Sequence, residues 1–296
     1  MKVKKITEFG LIEKIKKWIK HKDPSIIKGI GDDCAVIEFD RKKYMLFSSD
    51  MLVEDIDFTK NAPAYLVGRK AMGVVLSDIA SKAGLPKYAL VSLGLPKDAD
   101  LNFVRNLYKG FNFWMRRFNF EIVGGDISRA DKLIIDISMI GFVEKENLIL
   151  RSGAKPNDII FVSAKLGIPD KQFYFTPRIK EARYLVKNFK VNSMIDISDG
   201  LLQDLNHILE QSKVGAVIYE KLIPAKKDKD IQKILNQGEE FELLFTLPIK
   251  EAKRLISTGY RLFSGIGQIV DYRYGLRLIN KHFEEVKIRI KGFKHF

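Results

Sequence analysis

Apolar residues three and four apart mark helices in this chain, and apolar residues two apart mark strands. Over 7–20, Phe9, Ile12, Ile15 and Ile19 recur at helical spacing and predict an amphipathic opening helix. A longer helical pattern over 62–83 (Leu66, Val67, Val74, Val75, Ile79) has Pro63 in its first turn and stops before Gly84 and Pro86. Further helices are predicted over 102–118, 179–189 and 200–212 and near 249–258. Strand patterns cover 44–49, 88–95, 121–124 and 133–143 in the first half. They cover 159–163, 214–223, 243–247 and 263–270 in the second. The elements alternate without the strict strand–helix–strand rhythm of a doubly wound sheet, which predicts an α+β fold. The segment 151–158, with Gly153 and Pro156, reads as a turn-rich connector. The domain boundary is set just before it, giving an N-terminal domain over 1–146 and a C-terminal domain over 147–296. No fixed-period repeat or low-complexity tract interrupts the pattern.

Composition narrows the class. Of 296 residues, 46% are hydrophobic and 30% charged, enough apolar material for full-sized cores and too little polar bias for disorder. No apolar run approaches the ~18 residues that span a bilayer. The first twenty residues carry Glu8, Glu13 and Lys14 inside their apolar pattern, unlike a secretory signal. A single cysteine, Cys34, excludes an internal disulfide and a cysteine-built zinc site. Cys34 follows two aspartates that disfavour a thiolate, so it reads as a small core residue. The expected location is the cytoplasm, with no membrane partner.

Lys and Arg number 51 against 37 Asp and Glu, a net charge of +14, which favours anionic partners. The lysines are scattered along helical stretches (Lys14, Lys16, Lys17, Lys20, Lys22; Lys226, Lys227, Lys229) rather than gathered in one arm. That distribution suits solvated faces, and no nucleic-acid partner is expected.

Against this basic background, aspartates recur beside Gly, Ser or Ile in short stretches. These are Gly31-Asp32-Asp33, Ser48-Ser49-Asp50, Ser77-Asp78, Gly124-Gly125-Asp126 and Asp196-Ile197-Ser198-Asp199-Gly200. Several follow an apolar run directly, which would set them at strand ends. Any one of them is an ordinary turn sequence; five together need another reason. No GxxxxGK[ST] occurs, and Gly29-Ile30-Gly31-Asp32-Asp33-Cys34 lacks the third glycine of a dinucleotide fingerprint. Two carboxylates there repel a phosphate unless a metal intervenes. Oxygen donors from Asp and Ser point to Mg²⁺. The four histidines (His21, His207, His282, His295) show no ligand spacing and read as surface or capping residues. Mg²⁺ with phosphates suits phosphoryl transfer, where catalysis is mostly positioning and charge neutralisation.

In order along the chain stand Gly29–Val36 (GIGDDCAV), Ser49–Met51 with Val53 and Glu54, Leu76–Ala80 (LSDIA) and Val123–Asp126 (VGGD). Arg151–Asp158 (RSGAKPND), Ile195–Leu201 (IDISDGL), Gly238–Phe245 (GEEFELLF) and terminal Lys291-Gly292-Phe293 follow. This series resembles the thiamine-monophosphate kinase family of the aminoimidazole-ribonucleotide-synthetase-like superfamily, over nearly the whole chain. The resemblance implies a phosphotransferase that moves the γ-phosphoryl group of ATP directly onto the phosphate of thiamine monophosphate, with several Mg²⁺ ions per site. It also implies a two-domain α+β fold and a homodimer whose N-terminal domains pair to form a shared nucleotide-binding region.

Carried over by motif position, Asp33, Ser48, Ser49, Asp50, Asp78, Asp126, Asp196 and Asp199 would hold metal ions. Gly125, Asp126, Arg151 and Ser198 would contact ATP, with Tyr108 added from a stretch that carries no motif. Glu239 and Phe293 would face the thiamine end. The residue types suit such a transfer, since Arg151 can fork two phosphate oxygens, and Gly124 and Gly125 admit a close backbone approach. No covalent nucleophile is needed, because the acceptor phosphate is already ionised.

Three departures stand out. Asp57, a candidate substrate-binding residue by position, replaces a family histidine that contacts substrate, within Glu54-Asp55-Ile56-Asp57-Phe58, and its carboxylate would repel a phosphate unless it binds metal or points away. Gln237-Gly238-Glu239-Glu240 replaces Gly-Gly-Glu-Asp, and the chain is shortened between Gly167 and Thr176-Pro177-Arg178. Two alternatives stay open at this level: another ATP-using enzyme of the superfamily, and a basic nucleic-acid-binding protein.

Overall fold

Strand-forming segments sort into two sheets in the computed structural model, which describes residues 7–225 and 230–290. The first holds β1 (Ile26–Lys28), β2 (Ala35–Glu38), β3 (Lys43–Val53), β4 (Leu85–Leu95), β5 (Glu121–Arg129) and β6 (Ile134–Glu144). Their spatial order is β1-β2-β3-β6-β4-β5. All neighbours are antiparallel except β4 and β5, which are parallel and joined by the crossover helix α3. The helices of this half are α1 (Glu8–Trp18), α2 (Ala64–Ser81) and α3 (Leu101–Phe118). Thr7 caps α1 and Asp100 caps α3 by accepting first-turn N–H groups, and α3 ends on a left-handed Asn119.

Period-two alternation buries one face of this sheet: Leu46, Leu52, Val91, Leu93, Ile135 and Ile137 pack with residues of α2 and α3 in one core. The opposite face carries Phe47, Met51, Tyr88 and Leu90, all exposed. α2 is buried nearly all round, from Val67 to Ser81, which explains its apolar sequence.

The second sheet holds β7 (Ile159–Ser163), β8 (Ser193–Asp196), β9 (Gly215–Tyr219), β10 (Leu243–Leu247), β11 (Phe263–Val270), β12 (Leu276–Ile279) and β13 (Glu285–Val286). Their order is β13-β12-β9-β11-β7-β10-β8. Five helices accompany it: α4 (Lys171–Tyr174), α5 (Ile179–Asn188), α6 (Leu201–Ser212), α7 (Ile231–Asn236) and α8 (Ile249–Ser257). Both of its faces are covered. Ile195, Ile218 and Leu244 pack with Leu205 and Ile208 of α6, while Phe161, Met194 and Phe245 pack with Leu185 of α5 and Leu255 of α8.

Differences from the sequence pattern have simple causes. The short strand predicted over 121–124 runs on to Arg129, because edge pairing with β4 needs no apolar period. The pattern over 214–223 breaks at Tyr219 into a single helical turn. β1, β2, β8, β12, β13, α4 and α7 are too short to show a period. Phe293, with Lys226, Lys227, Lys229 and His295, lies outside the described residues. No helix among the described residues is long and apolar enough to cross a membrane.

Candidate active site

The last turn of α2 organises the site. Ser77, Asp78, Ser81 and the C-capping Lys82 share one helix face through their three- and four-residue spacing. Around them converge Asp32 and Asp33 from the β1–β2 turn, Ser48 and Asp50 from β3, and Asp196 at the end of β8. Asp50 and Asp78 are therefore not at strand ends: Asp50 sits inside β3 and Asp78 within a helix.

Asp32 and Asp33 are paired. The Lys82 ammonium lies 2.5 Å from Asp32 and 2.8 Å from Asp33, and all three side chains are fully buried. Arg151 Nε donates to Asp33 at 2.7 Å, and Ser81 Oγ donates to its other oxygen at 2.5 Å. Burial alone would raise the Asp33 pKa, but Arg151 and Lys82 outweigh it and hold the carboxyl at about 2.

Asp50, Asp78 and Asp196 have no such partner. Ser48 Oγ donates to Asp78, and Ser77 Oγ donates to Asp196 at 2.6 Å; among the described residues none of the three carboxylates forms an ion pair. Burial, with the charges of Asp136, Asp33 and Asp57, pushes Asp50 up to about 6 against a hydrogen bond with Asp78; burial, then the charges of Asp50 and Asp196, pushes Asp78 well above the usual carboxylate range. Burial and the Asp33 charge push Asp196 up to about 7. Carboxylate oxygens of Asp33, Asp78 and Asp196 lie within 4.8 Å of one another. Buried carboxylates that converge without cations can hold a metal ion, and their oxygen donors suit a hard one.

These groups open onto a cavity of about 600 Å³ between the two halves. Asp33, Asp50, Asp78, Arg151, Ser198 and Asp199 line it on one side, with Asp57, Lys70 and Glu239 also on its wall. Lys70 is buried in α2, yet it ion-pairs with Glu239 and donates to Gln172 Oε1 at 2.6 Å, tying the two halves together. Asp57 accepts the Val53 N–H at 2.7 Å. The loops bearing Ser198 and Glu239 touch through a backbone bond, Glu239 N to Ser198 O at 2.7 Å. A Cβ on Gly238 would meet that same oxygen at 2.7 Å, so glycine is needed there. Glu239 and Phe241, both on the cavity wall, adopt left-handed backbone, a strained conformation for residues with side chains.

Known proteins share this fold. Residues 31–143 match the AIR synthase related protein, N-terminal domain, and residues 136–277 match the corresponding C-terminal domain. The chain is 32% identical to the thiamine-monophosphate kinase of Aquifex aeolicus, with 100% of each chain covered. It is 30% identical to that of Escherichia coli, covering 98% of each. The chain belongs to the AIR synthase related family, among its thiamine-monophosphate kinases. A solved structure described as AaThiL complexed with AMPPCP and TMP superposes with a TM-score of 0.86 at 30% identity, over 100% of this chain and 99% of that one. Hydrogenase maturation protein HypE in complex with ATP, at 17% identity and a TM-score of 0.72 over 91% and 90%, shares the fold alone.

In this member of the thiamine-monophosphate kinase family, the residues named from sequence divide between two places. Asp33, Ser48, Asp50, Asp78 and Asp196 gather at the end of α2, with Arg151, Ser198, Asp199, Glu239 and Asp57 around the cavity. Ser49 also lines the cavity but projects to the other face of β3, where it hydrogen-bonds Asp136 and Ser138 at 3.1 Å. Asp126 is in register with Ser92, and Ser92 with Asp136, so it shares that open face and is exposed. Tyr108 is half-buried on α3 with its ring edge-on to Phe111, away from the cavity. For Gly125 the structure supplies an internal reason: a Cβ there would meet Val91 O of β4 at 1.7 Å. Cys34 is a buried core residue whose thiol pKa is pushed up first by burial and then by Asp78.

Sequence reasoning missed the polar side of α6. Asp204, fully buried, accepts the N–H groups of Asp199 and Gly200 at 3.1 Å each. His207, read as a surface or capping residue, packs its ring 4.6 Å from Phe9 and lines the cavity. Burial, then Arg151, lowers its pKa to about 4. Gln211 donates to Gly31 O at 2.5 Å, and Ser212 Oγ accepts from Gly153 and Ala154. The helix thus pins three motif loops. Its spacing of 204, 207, 211 and 212 is the signal that marks one polar face. Glu240 and Glu242 are structural, paired with Lys171 and Arg178 of the shortened segment.

Proposed function

We propose that the chain transfers the γ-phosphoryl group of ATP to the phosphate of thiamine monophosphate, giving thiamine diphosphate. The observation that carries the reading is the match, along essentially the whole of both chains, to a structure holding AMPPCP and TMP. The reaction joins two polyanions, so the site must neutralise charge and set donor and acceptor in line. Asp50, Asp78 and Asp196, with Asp33 and Asp199 beside them, would hold Mg²⁺. The donors are all oxygen, they converge within 4.8 Å where Asp33, Asp78 and Asp196 meet, and the first three lack a cationic partner. Bound there, Mg²⁺ supplies neutralisation of the phosphate oxygens.

The remaining work falls to the chain's own residues. Arg151, its guanidinium oriented by Asp33, presents its free edge to the nucleotide phosphates beside Ser198. Glu239, oriented by Lys70, offers a carboxylate to the cationic, amine-bearing end of the acceptor. Asp57 is turned onto the Val53 N–H, which keeps its charge occupied locally where the family histidine would contact substrate. The acceptor phosphate attacks directly, so no side-chain nucleophile takes part.

Pairing of two copies through the open face of the first sheet belongs to the same reading. Phe47, Met51, Tyr88 and Leu90 leave an apolar surface uncovered, and Ser49, Asp126 and the Gly124-Gly125 pair of β5 sit on or beside it. A homodimer would bring these residues and Tyr108 into a nucleotide region shared between copies. The reading carries two domains divided near residue 146, a cytoplasmic location, and no nucleic-acid or membrane partner. The decisive test supplies purified chain with ATP, Mg²⁺ and thiamine monophosphate and follows products by chromatography. Thiamine diphosphate should form, and free thiamine should not replace the monophosphate. ATP consumption without diphosphate overturns the assignment. Light scattering should return twice the 34.0 kDa chain mass.

A further inference from the structure

Lys70 is buried in α2, and its ammonium meets three acceptors: the Asp57 carbonyl at 2.5 Å, Gln172 Oε1 at 2.6 Å and the Glu239 carboxylate. Two of these belong to residues on the cavity wall, Asp57 and Glu239. The third comes from α4, in the short segment between Gly167 and Arg178. That segment is fastened on both sides. Phe175 stacks on Phe241 with ring centroids 4.2 Å apart. A Cβ on Gly73 of α2 would meet the Phe175 ring at 2.6 Å, so glycine there makes room for it. Lys171 is buried and pairs with Glu240 at 3.0 Å and with Glu242 at 2.8 Å. Glu239 and Phe241 keep left-handed backbone, a conformation that persists only where the surroundings over-determine it. Lys70, Lys171 and Phe175 grip three successive residues there, Glu239, Glu240 and Phe241.

We infer that the segment 168–178 is a clamp that positions the acceptor end of the cavity, and that Gln172 is its link to the site. Gln172 fixes the Lys70 ammonium, which in turn fixes the Glu239 carboxylate and the loop bearing Asp57. Gln172 does not itself line the cavity, so it acts through Lys70 as a positioning residue. Loss of one acceptor leaves a buried N–H unsatisfied and frees the ammonium to shift, so Glu239 loses its fixed aim. Arg151 is held from another direction, by Asp33, so the clamp bears on acceptor binding far more than on nucleotide binding. The inference rests on the reading that Glu239 faces the thiamine end of the acceptor.

The test is steady-state kinetics on the purified full-length chain, with ATP and thiamine monophosphate varied separately and melting temperature followed in parallel. Gln172→Met is close in shape but removes the oxygen. It should raise KM for thiamine monophosphate by roughly five- to tenfold, the scale of one lost hydrogen bond. It should leave kcat, KM for ATP and the melting temperature near parental. Gln172→Glu, which keeps an oxygen at the same reach, should retain the parental KM. Tyr174→Ala, exposed on the same helix, should change none of these. A Gln172→Met enzyme with the parental KM for thiamine monophosphate overturns the clamp. So does one in which both KM values rise as the melting temperature falls, because the segment is then only a brace of the fold. Equal effects of Gln172→Met and either Gln172→Glu or Tyr174→Ala overturn it too. If the parent consumes ATP without making thiamine diphosphate, the functional reading itself falls. A parent that makes the diphosphate, beside an unaffected Gln172→Met, loses the clamp alone.

Discussion

At one end of the acidic cluster, Asp32 and Asp33 are matched by Lys82 and Arg151; at the other, Asp50, Asp78 and Asp196 are left with hydroxyl groups and one another. Both ends are buried, and both are built from the same residue type beside the same helix turn. The physical consequences are opposite. Attraction outweighs burial at Asp33 and draws its pKa down to about 2, whereas burial and repulsion raise Asp50 to about 6 and Asp196 to about 7. A carboxylate that has its cation is stabilised before any ligand binds, as Asp33 is even though it also faces Asp78 and Asp196. A carboxylate that lacks one is a demand for a ligand, and the difference cannot be read from the aspartate itself.

The largest expected effect exploits that demand. Removal of divalent cations by EDTA should abolish product formation, and Mg²⁺ or Mn²⁺ should restore it; full turnover in excess chelator would show that the unmatched end needs no metal. Next, Asp78→Asn and Asp196→Asn should each lower kcat by at least ~100-fold, a barrier increase of roughly 2.7 kcal/mol. Their melting temperatures without metal should hold or rise, because each change removes a buried, repelled charge. Loss of stability in proportion to loss of rate would move these residues into the scaffold class.

Asp33→Asn should behave in the reverse sense. It leaves Arg151 and Lys82 with one carboxylate between them, and breaking such a buried pair typically costs about 3–5 kcal/mol. Chemical denaturation should report that loss even with EDTA present. A variant as stable as the parent would mean that the pairing of Asp33 is incidental.

Much of this contrast was hidden in the sequence. The strands at 159–163, 243–247 and 263–270 were legible because apolar runs bounded by turns leave few alternatives. The aspartate motifs were legible as a set, and the fold brings Asp33, Asp50, Asp78 and Asp196 together. The cations were not: Lys70 in α2 and Lys82 at its C-cap look like stray charges until residues about 170 and 50 positions away fold onto them. Nor was sheet face legible, since it depends on register: Ser48 and Ser49 are neighbours, yet one bonds Asp78 and the other Asp136. Asp204 and His207 share their helix with a strong apolar pattern that masks its polar face in the sequence.

The smallest effect is a pH dependence, and its sign separates the two ends. Asp196 holds its proton to about pH 7 when folded but only to about 3.8 as an ordinary carboxyl, so unfolding releases a proton between those values. Metal-free stability therefore falls as pH rises from about 4 to 7 on account of Asp196, and is level above. Asp33, at about 2 when folded, contributes stability that is complete above 3.8 and lost only in stronger acid, outside that window. His207 works against Asp196: lowered to about 4 from 6.5, it adds stability that is complete above 6.5 and lost as pH falls toward 4. A raw melting curve would mix the two slopes. The clean measurement is the difference between Asp196→Asn and the parent in EDTA, in which His207 cancels. That difference should grow with pH from 4 to 7 and then stay constant, by about 2–4 °C for each kcal/mol involved. Added Mg²⁺ should shrink or invert it, because a cation favours the charged carboxylate that the variant lacks. A difference that is flat across the window would show that Asp196 titrates as an ordinary carboxylate, and that the unmatched end already holds the charge it was thought to need.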